Sequence, residues 1–170
     1  MGKLIDSVKF VVAAQCIDTQ TAWNNQTYDL GNAINVENYR HVTIVLIGGV
    51  AAGTQLAVKV VCAATDAACV IANVGTTAAL VPMEWVYKNI QTAVQSDTWV
   101  KTAVVSDTFT PTTTTNHLNW VIEIETASMS LAPWLTINKV ASGAANYMAA
   151  LYILSQPRYI SAEDAPTAIV

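Results

Sequence analysis

The side chains of this chain whose types could do chemistry are two histidines, two glutamates spaced two apart, and three cysteines. Glu123 and Glu125 stand in the stretch Asn-Trp-Val-Ile-Glu-Ile-Glu. In an extended strand this puts both carboxylates on one face, about 7 Å apart. Such a separation suits a pair of glycosidase carboxylates, with Trp99, Trp120 or Trp134 as the aromatic platform for a sugar. The same alternation sends Trp120 to the face opposite both glutamates, and alternating Glu is ordinary on a solvated sheet face. His41 precedes a strongly apolar stretch and His117 follows a threonine-rich one. As a general base either would need a nucleophile and an orienting carboxylate, and no motif supplies that set. Both histidines therefore read as polar residues at strand edges.

Cys16, Cys62 and Cys69 make an odd number, and Asp6 interrupts any apolar secretion signal after Met1. Asp6 also stands where an N-myristoylation signal requires Ser or Thr. Free, partly buried thiols are the expectation, with a Cys62–Cys69 bridge across a loop as the alternative. Without export, the sequon Asn25-Gln26-Thr27 is expected to carry no glycan. No CxxC or HxxxH spacing points to zinc, and no DxDxDG loop points to calcium. Residues 48–53, Gly-Gly-Val-Ala-Ala-Gly, lack the spacing and the Lys-Ser/Thr end of a phosphate cradle, so they read as a hairpin turn. The expectation is a protein that is not an enzyme, with no catalytic, cofactor-binding or metal-ligating residues.

The elements that position these residues are written in the apolar pattern. Hydrophobic residues make up 53% of the 170 and charged residues 12%, yet the longest run without a polar side chain, 44–53, is broken by Gly48, Gly49 and Gly53. No membrane span is expected. The net charge of -4, with eight scattered Lys and Arg, argues against direct nucleic-acid binding. Residues 8–14 predict a first strand leading on to 21–24. Residues 42–47, Val-Thr-Ile-Val-Leu-Ile, are apolar on both pleat faces apart from Thr43, which predicts a strand that is central or at a subunit contact. In 56–63, Leu56, Val58, Val60 and Cys62 share a face and Lys59 takes the other. The Ala-, Thr- and Gly-rich connection 63–80 predicts a short helix or an excursion toward a neighbour.

Strands are further predicted over 84–88 (Trp85 and Tyr87 on one face), 99–105, 119–126, 134–140 and 147–154. Pro111 and the Thr112–Thr115 run predict a loop over 110–116. No segment carries a sustained helical period, so the expected fold is all-β: a single antiparallel sandwich domain, jelly-roll-like, of about eight strands. Residues 1–24 are expected to be an N-terminal arm or first strands, and 158–170 an extended C-terminal tail. The five tryptophans, Trp23, Trp85, Trp99, Trp120 and Trp134, are expected mostly as core or inter-subunit anchors, each burying about 200 Å².

Three segments resemble a family of small structural proteins of tailed bacteriophages, of the head-decoration or auxiliary-capsid kind. They are 36–48 (Val-Glu-Asn-Tyr-Arg-His, then an apolar strand to glycine), 56–66 (a strand into Ala-Thr-Asp), and 121–125 together with 145–159. The resemblance implies a non-enzymatic sandwich on the virion shell, with the major capsid protein as partner. A symmetric homo-oligomer, trimeric or otherwise, fits that setting, as do extended arms reaching neighbours. A tail or fibre component is the alternative within the same class, and a carbohydrate-binding module or glycosidase the alternative outside it.

Overall fold

A computed structural model describes residues 8–18, 32–48, 57–69, 74–90, 98–104, 107–109, 118–129, 133–139 and 147–157. Trp23, His117, the 110–116 loop, the 158–170 tail and most of the 48–53 turn lie outside the described residues.

Among the described residues there are ten strands: β1 (Val8–Asp18), β2 (Ile34–Asn35), β3 (Tyr39–Gly48), β4 (Val58–Ala63), β5 (Ala78–Leu80), β6 (Trp85–Ile90), β7 (Val100–Ala103), β8 (Leu118–Glu125), β9 (Trp134–Lys139) and β10 (Tyr147–Pro157). They form a six-stranded sheet, β1-β10-β3-β8-β6-β7, and a four-stranded sheet, β2-β9-β4-β5. Every pairing within the sheets is antiparallel. With the β6–β7 hairpin set aside, eight strands remain in two sheets of four, and the chain passes repeatedly from one sheet to the other. This is the jelly-roll arrangement, extended along one edge by a hairpin. The expected count of about eight strands thus describes the core of the fold, and the hairpin accounts for the surplus.

Alternation places the core. On β3, Val42, Ile44 and Leu46 are fully buried, as are Ile122 on β8, Tyr152 and Leu154 on β10, and Val58, Val60, Leu135 and Ile137 from the smaller sheet. Trp120 points into this core and meets Phe109 edge-on, with ring centroids 6.2 Å apart. Phe109 is itself held by paired backbone hydrogen bonds with Val58, 2.6 and 2.9 Å long. Where β2 ends, the Ile137 N–H has no strand neighbour on that side. The buried Tyr152 hydroxyl accepts its hydrogen bond at 2.7 Å and so ties the two sheets together. Burial, opposed by hydrogen bonds from Thr136 and Ile137, pushes the Tyr152 phenol well above its ordinary value.

The 63–80 connection does not form the predicted helix among its described residues. It turns at 64–68, turns again at Gly75, whose φ of 89° suits a residue without a Cβ, and returns as β5 beside β4. Its small side chains allow it to lie close over the outer face of its own sheet. There Val61, Ala63, Cys69 and Ala78 form a second buried cluster, with Leu80 and Trp134 packed against it. Strand β4 is consequently covered on both faces, where sequence alternation predicted one.

Cys62 and Cys69 are both free and buried. Burial and the neighbouring Cys62 push the Cys69 thiol up to about 12. Native protein is therefore expected to resist iodoacetamide at both positions and to be alkylated there only on unfolding. Rapid labelling of Cys69 in native buffer, located by peptide mass mapping, would contradict this.

Candidate functional site

The outer face of the six-stranded sheet is organised in rows set by register. One row runs Val8, Ser155, His41, Glu125, and the next runs Phe10, Ile153, Thr43, Glu123. A third runs Val12, Leu151, Val45, Val121, Tyr87, Lys101. The face is therefore apolar on the β1 side and charged toward β8.

At the charged end His41 and Glu125 are direct cross-strand neighbours, and Glu123 is diagonal to His41. Thr126 fixes this corner, since its hydroxyl donates to the Tyr39 and Arg40 carbonyls at 2.9 and 3.2 Å and pins the end of β8 to the start of β3. His41 Nδ1 lies 2.8 Å from Glu125 Oε1, Nε2 is hydrogen-bonded to Glu123 Oε2, and the Thr43 hydroxyl donates to Glu123 Oε2 at 2.9 Å. A neutral imidazole has one N–H, so both bonds are satisfied together only by the imidazolium. Burial lowers the His41 pKa, but hydrogen bonds to Glu125 and Glu123 and the charges of both outweigh it, leaving a value above 6.5.

A ring bonded at both nitrogens offers no lone pair to a proton, an electrophile or a metal. It also fills the space between the two carboxylates that a glycosidic bond would have to enter. His41 is thus the hub of a cross-strand ionic clasp rather than a base in a triad, and no longer a plain strand-edge residue. No group of three or more His, Cys, Asp or Glu placed to hold a metal occurs among the described residues.

The linkage has a definite sign. Because the folded pKa is raised, the clasp stabilises fully below pH 6.5 and its contribution is lost as pH rises through the folded value. Both carboxylates are more than a third exposed, so solvent holds the effect to about 1 kcal/mol or less. Chemical denaturation across this window is expected to show a downward slope that His41→Gln flattens; equal slopes would contradict the clasp.

Beside the clasp lies a shallow groove of about 240 Å³, lined by Pro82, Glu84, Trp85, Tyr87, Glu123, Glu125 and Ser128. The Lys101 ammonium stands 4.1 Å from the Trp85 ring centroid and 5.8 Å from that of Tyr87. The tryptophans considered as partners of the glutamates are elsewhere. Trp120 is in the core, Trp134 is on the smaller sheet, and Trp99 precedes the edge strand β7. Trp85 and Tyr87 take their place because β6 pairs with β8, a contact that alternation within either strand could not announce.

No helix among the described residues is long and apolar enough to cross a membrane. Set against protein-family models, curated proteins and solved structures, the chain has no match.

Proposed function

We propose that this chain is a structural protein of a tailed-phage virion, a decoration (cement) protein that binds the major capsid protein and stabilises the head. In this reading it catalyses nothing, uses no cofactor, and contacts neither nucleic acid nor membrane. The observation that carries it is the asymmetry of the sandwich. The smaller sheet is capped by residues of its own 63–69 and 74–80 segments, whereas the larger sheet turns outward a surface on which β1, β10 and β3 set Phe10, Val12, Leu151, Ile153, Val45 and Ile47 side by side. A face of that kind works by being covered. Jelly rolls recur in viral capsid domains, which adds weight by analogy only.

Virions assembled without the chain are expected to release their DNA at a lower temperature, and added protein is expected to restore the wild-type value. Unchanged release would overturn the cement role. Immunogold label confined to tails would move the protein to the tail.

A second reading is favoured by the groove alone, where Trp85, Tyr87, Glu123 and Glu125 meet as in many glycan sites. Glycan-array binding abolished by Trp85→Ala in a folded variant would support it, and an array without signal would remove it.

A further inference from the structure

We infer that the groove between β6 and β8 is a docking site for an arginine side chain presented by a protein partner. The inference goes beyond the proposed function and holds whether or not that partner belongs to a virion.

Two neighbouring strands and the segments flanking them build the groove. Trp85 and Glu123 each lie one step beyond the Val86–Ile122 pair, so register sets the indole beside the carboxylate on the outer face. Tyr87 shares that face two residues along. Glu84 precedes β6, Glu125 closes β8, and the turn at 126–128 brings Ser128 to the same end. Trp85 is 42% exposed, so its ring is open to a ligand.

Charge complementarity names the guest. No Lys or Arg among the described residues pairs with Glu84, Glu123 or Glu125, and the basic side chain that does touch the last two is His41. The clasp engages Glu125 Oε1 and Glu123 Oε2, which leaves Glu125 Oε2, Glu123 Oε1 and the Glu84 carboxylate as acceptors. Three carboxylates against the His41 imidazolium and the Lys101 ammonium leave the groove with a net negative charge.

Lys101 shows that the rings already hold a cation. Its ammonium sits over Trp85 and Tyr87 and pairs with no carboxylate among the described residues. It satisfies the rings and leaves the carboxylates open. A guanidinium can serve both, because it is planar, stacks on an aromatic face and donates in a fork to carboxylate oxygens. At about 240 Å³ the groove lies below the ~300–1,000 Å³ usual for small-molecule pockets, and a single long side chain suits it. A neutral sugar would use the rings but not the net charge. The groove also opens on the same outer face as the apolar surface of β1, β10 and β3, so one protein covering that face can reach both.

Titration of the isotope-labelled full chain with the peptide acetyl-Gly-Arg-Gly-amide, followed by NMR, tests this. The Trp85 indole N–H signal, identified by its loss in Trp85→Phe, is expected to shift with a dissociation constant in the millimolar range at low salt. The same peptide with citrulline in place of arginine should bind roughly tenfold more weakly. Glu84→Gln should weaken arginine binding roughly twofold to fivefold, and Lys101→Met, which removes the competing cation, should tighten it by a similar factor. Both residues are exposed, and circular dichroism verifies that each variant is folded. Equal binding of the citrulline peptide, indifference to both substitutions, or no shift at the Trp85 indole overturns the inference. A shift caused by maltotriose and not by the arginine peptide also overturns it, and gives the groove to a glycan. Because only the isolated chain and a synthetic peptide are used, failure here is distinct from failure to find the protein in virions.

Discussion

Replacing Trp120 by alanine is expected to lower the free energy of unfolding by about 3–5 kcal/mol. Trp120 is 1% exposed and heads the fully buried side chains by size. It stands on β8, which joins the jelly-roll strands to the β6–β7 hairpin, and its ring supports Phe109, whose backbone in turn closes the end of β4. Alanine would leave a cavity bordered by both sheets, and close-packed neighbours collapse only partly into such a space. Urea titration should show the midpoint falling with little change in slope. Trp120→Phe should lose less, because it keeps a ring for the edge contact. A loss below about 1 kcal/mol for alanine would mean that Trp120 is not part of a packed core.

Tyr152→Phe is expected to cost about 1–3 kcal/mol although it removes one oxygen. The ring stays, so apolar packing is preserved. What is lost is the acceptor for the Ile137 N–H, which lies beyond the end of the two-residue strand β2, together with the hydroxyl's hydrogen bond to Thr136. The hydroxyl also carries the polar link between the sheets, so the effect should be local as well as global. Hydrogen exchange at the Ile137 amide should accelerate more than at neighbouring amides of β9. Unchanged stability and unchanged exchange would show that the hydroxyl is dispensable.

The fold was more legible in the residues than the site. Alternation in 119–125 puts Trp120, Ile122 and Ile124 inside and the glutamates outside, and that is how β8 sits. The two-faced apolarity of 42–47 marked β3 as central or at a subunit contact, and it is the third of six strands. The cap over the smaller sheet was hidden, because Ala, Thr and Gly in 63–80 carry no period. Their small side chains show their use only when the segment lies against Val61 and Ala63.

The clasp was hidden for a different reason. Glu123 and Glu125 were visible as a pair, but His41 reaches them across 82 and 84 residues of chain, through a register that neither strand encodes alone. Trp85 and Tyr87 were legible as sharing one face of a strand, yet nothing local says that this strand lies beside β8. Period-2 patterns report which way a side chain points, and long-range pairing decides what it meets.

The assignment to a virion shell is tested most directly by quantitative mass spectrometry of purified virions. The chain is expected at a copy number comparable with that of the major capsid protein, as a surface-covering protein requires. Its absence from virions, or its presence at only a few copies per particle, would contradict the assignment.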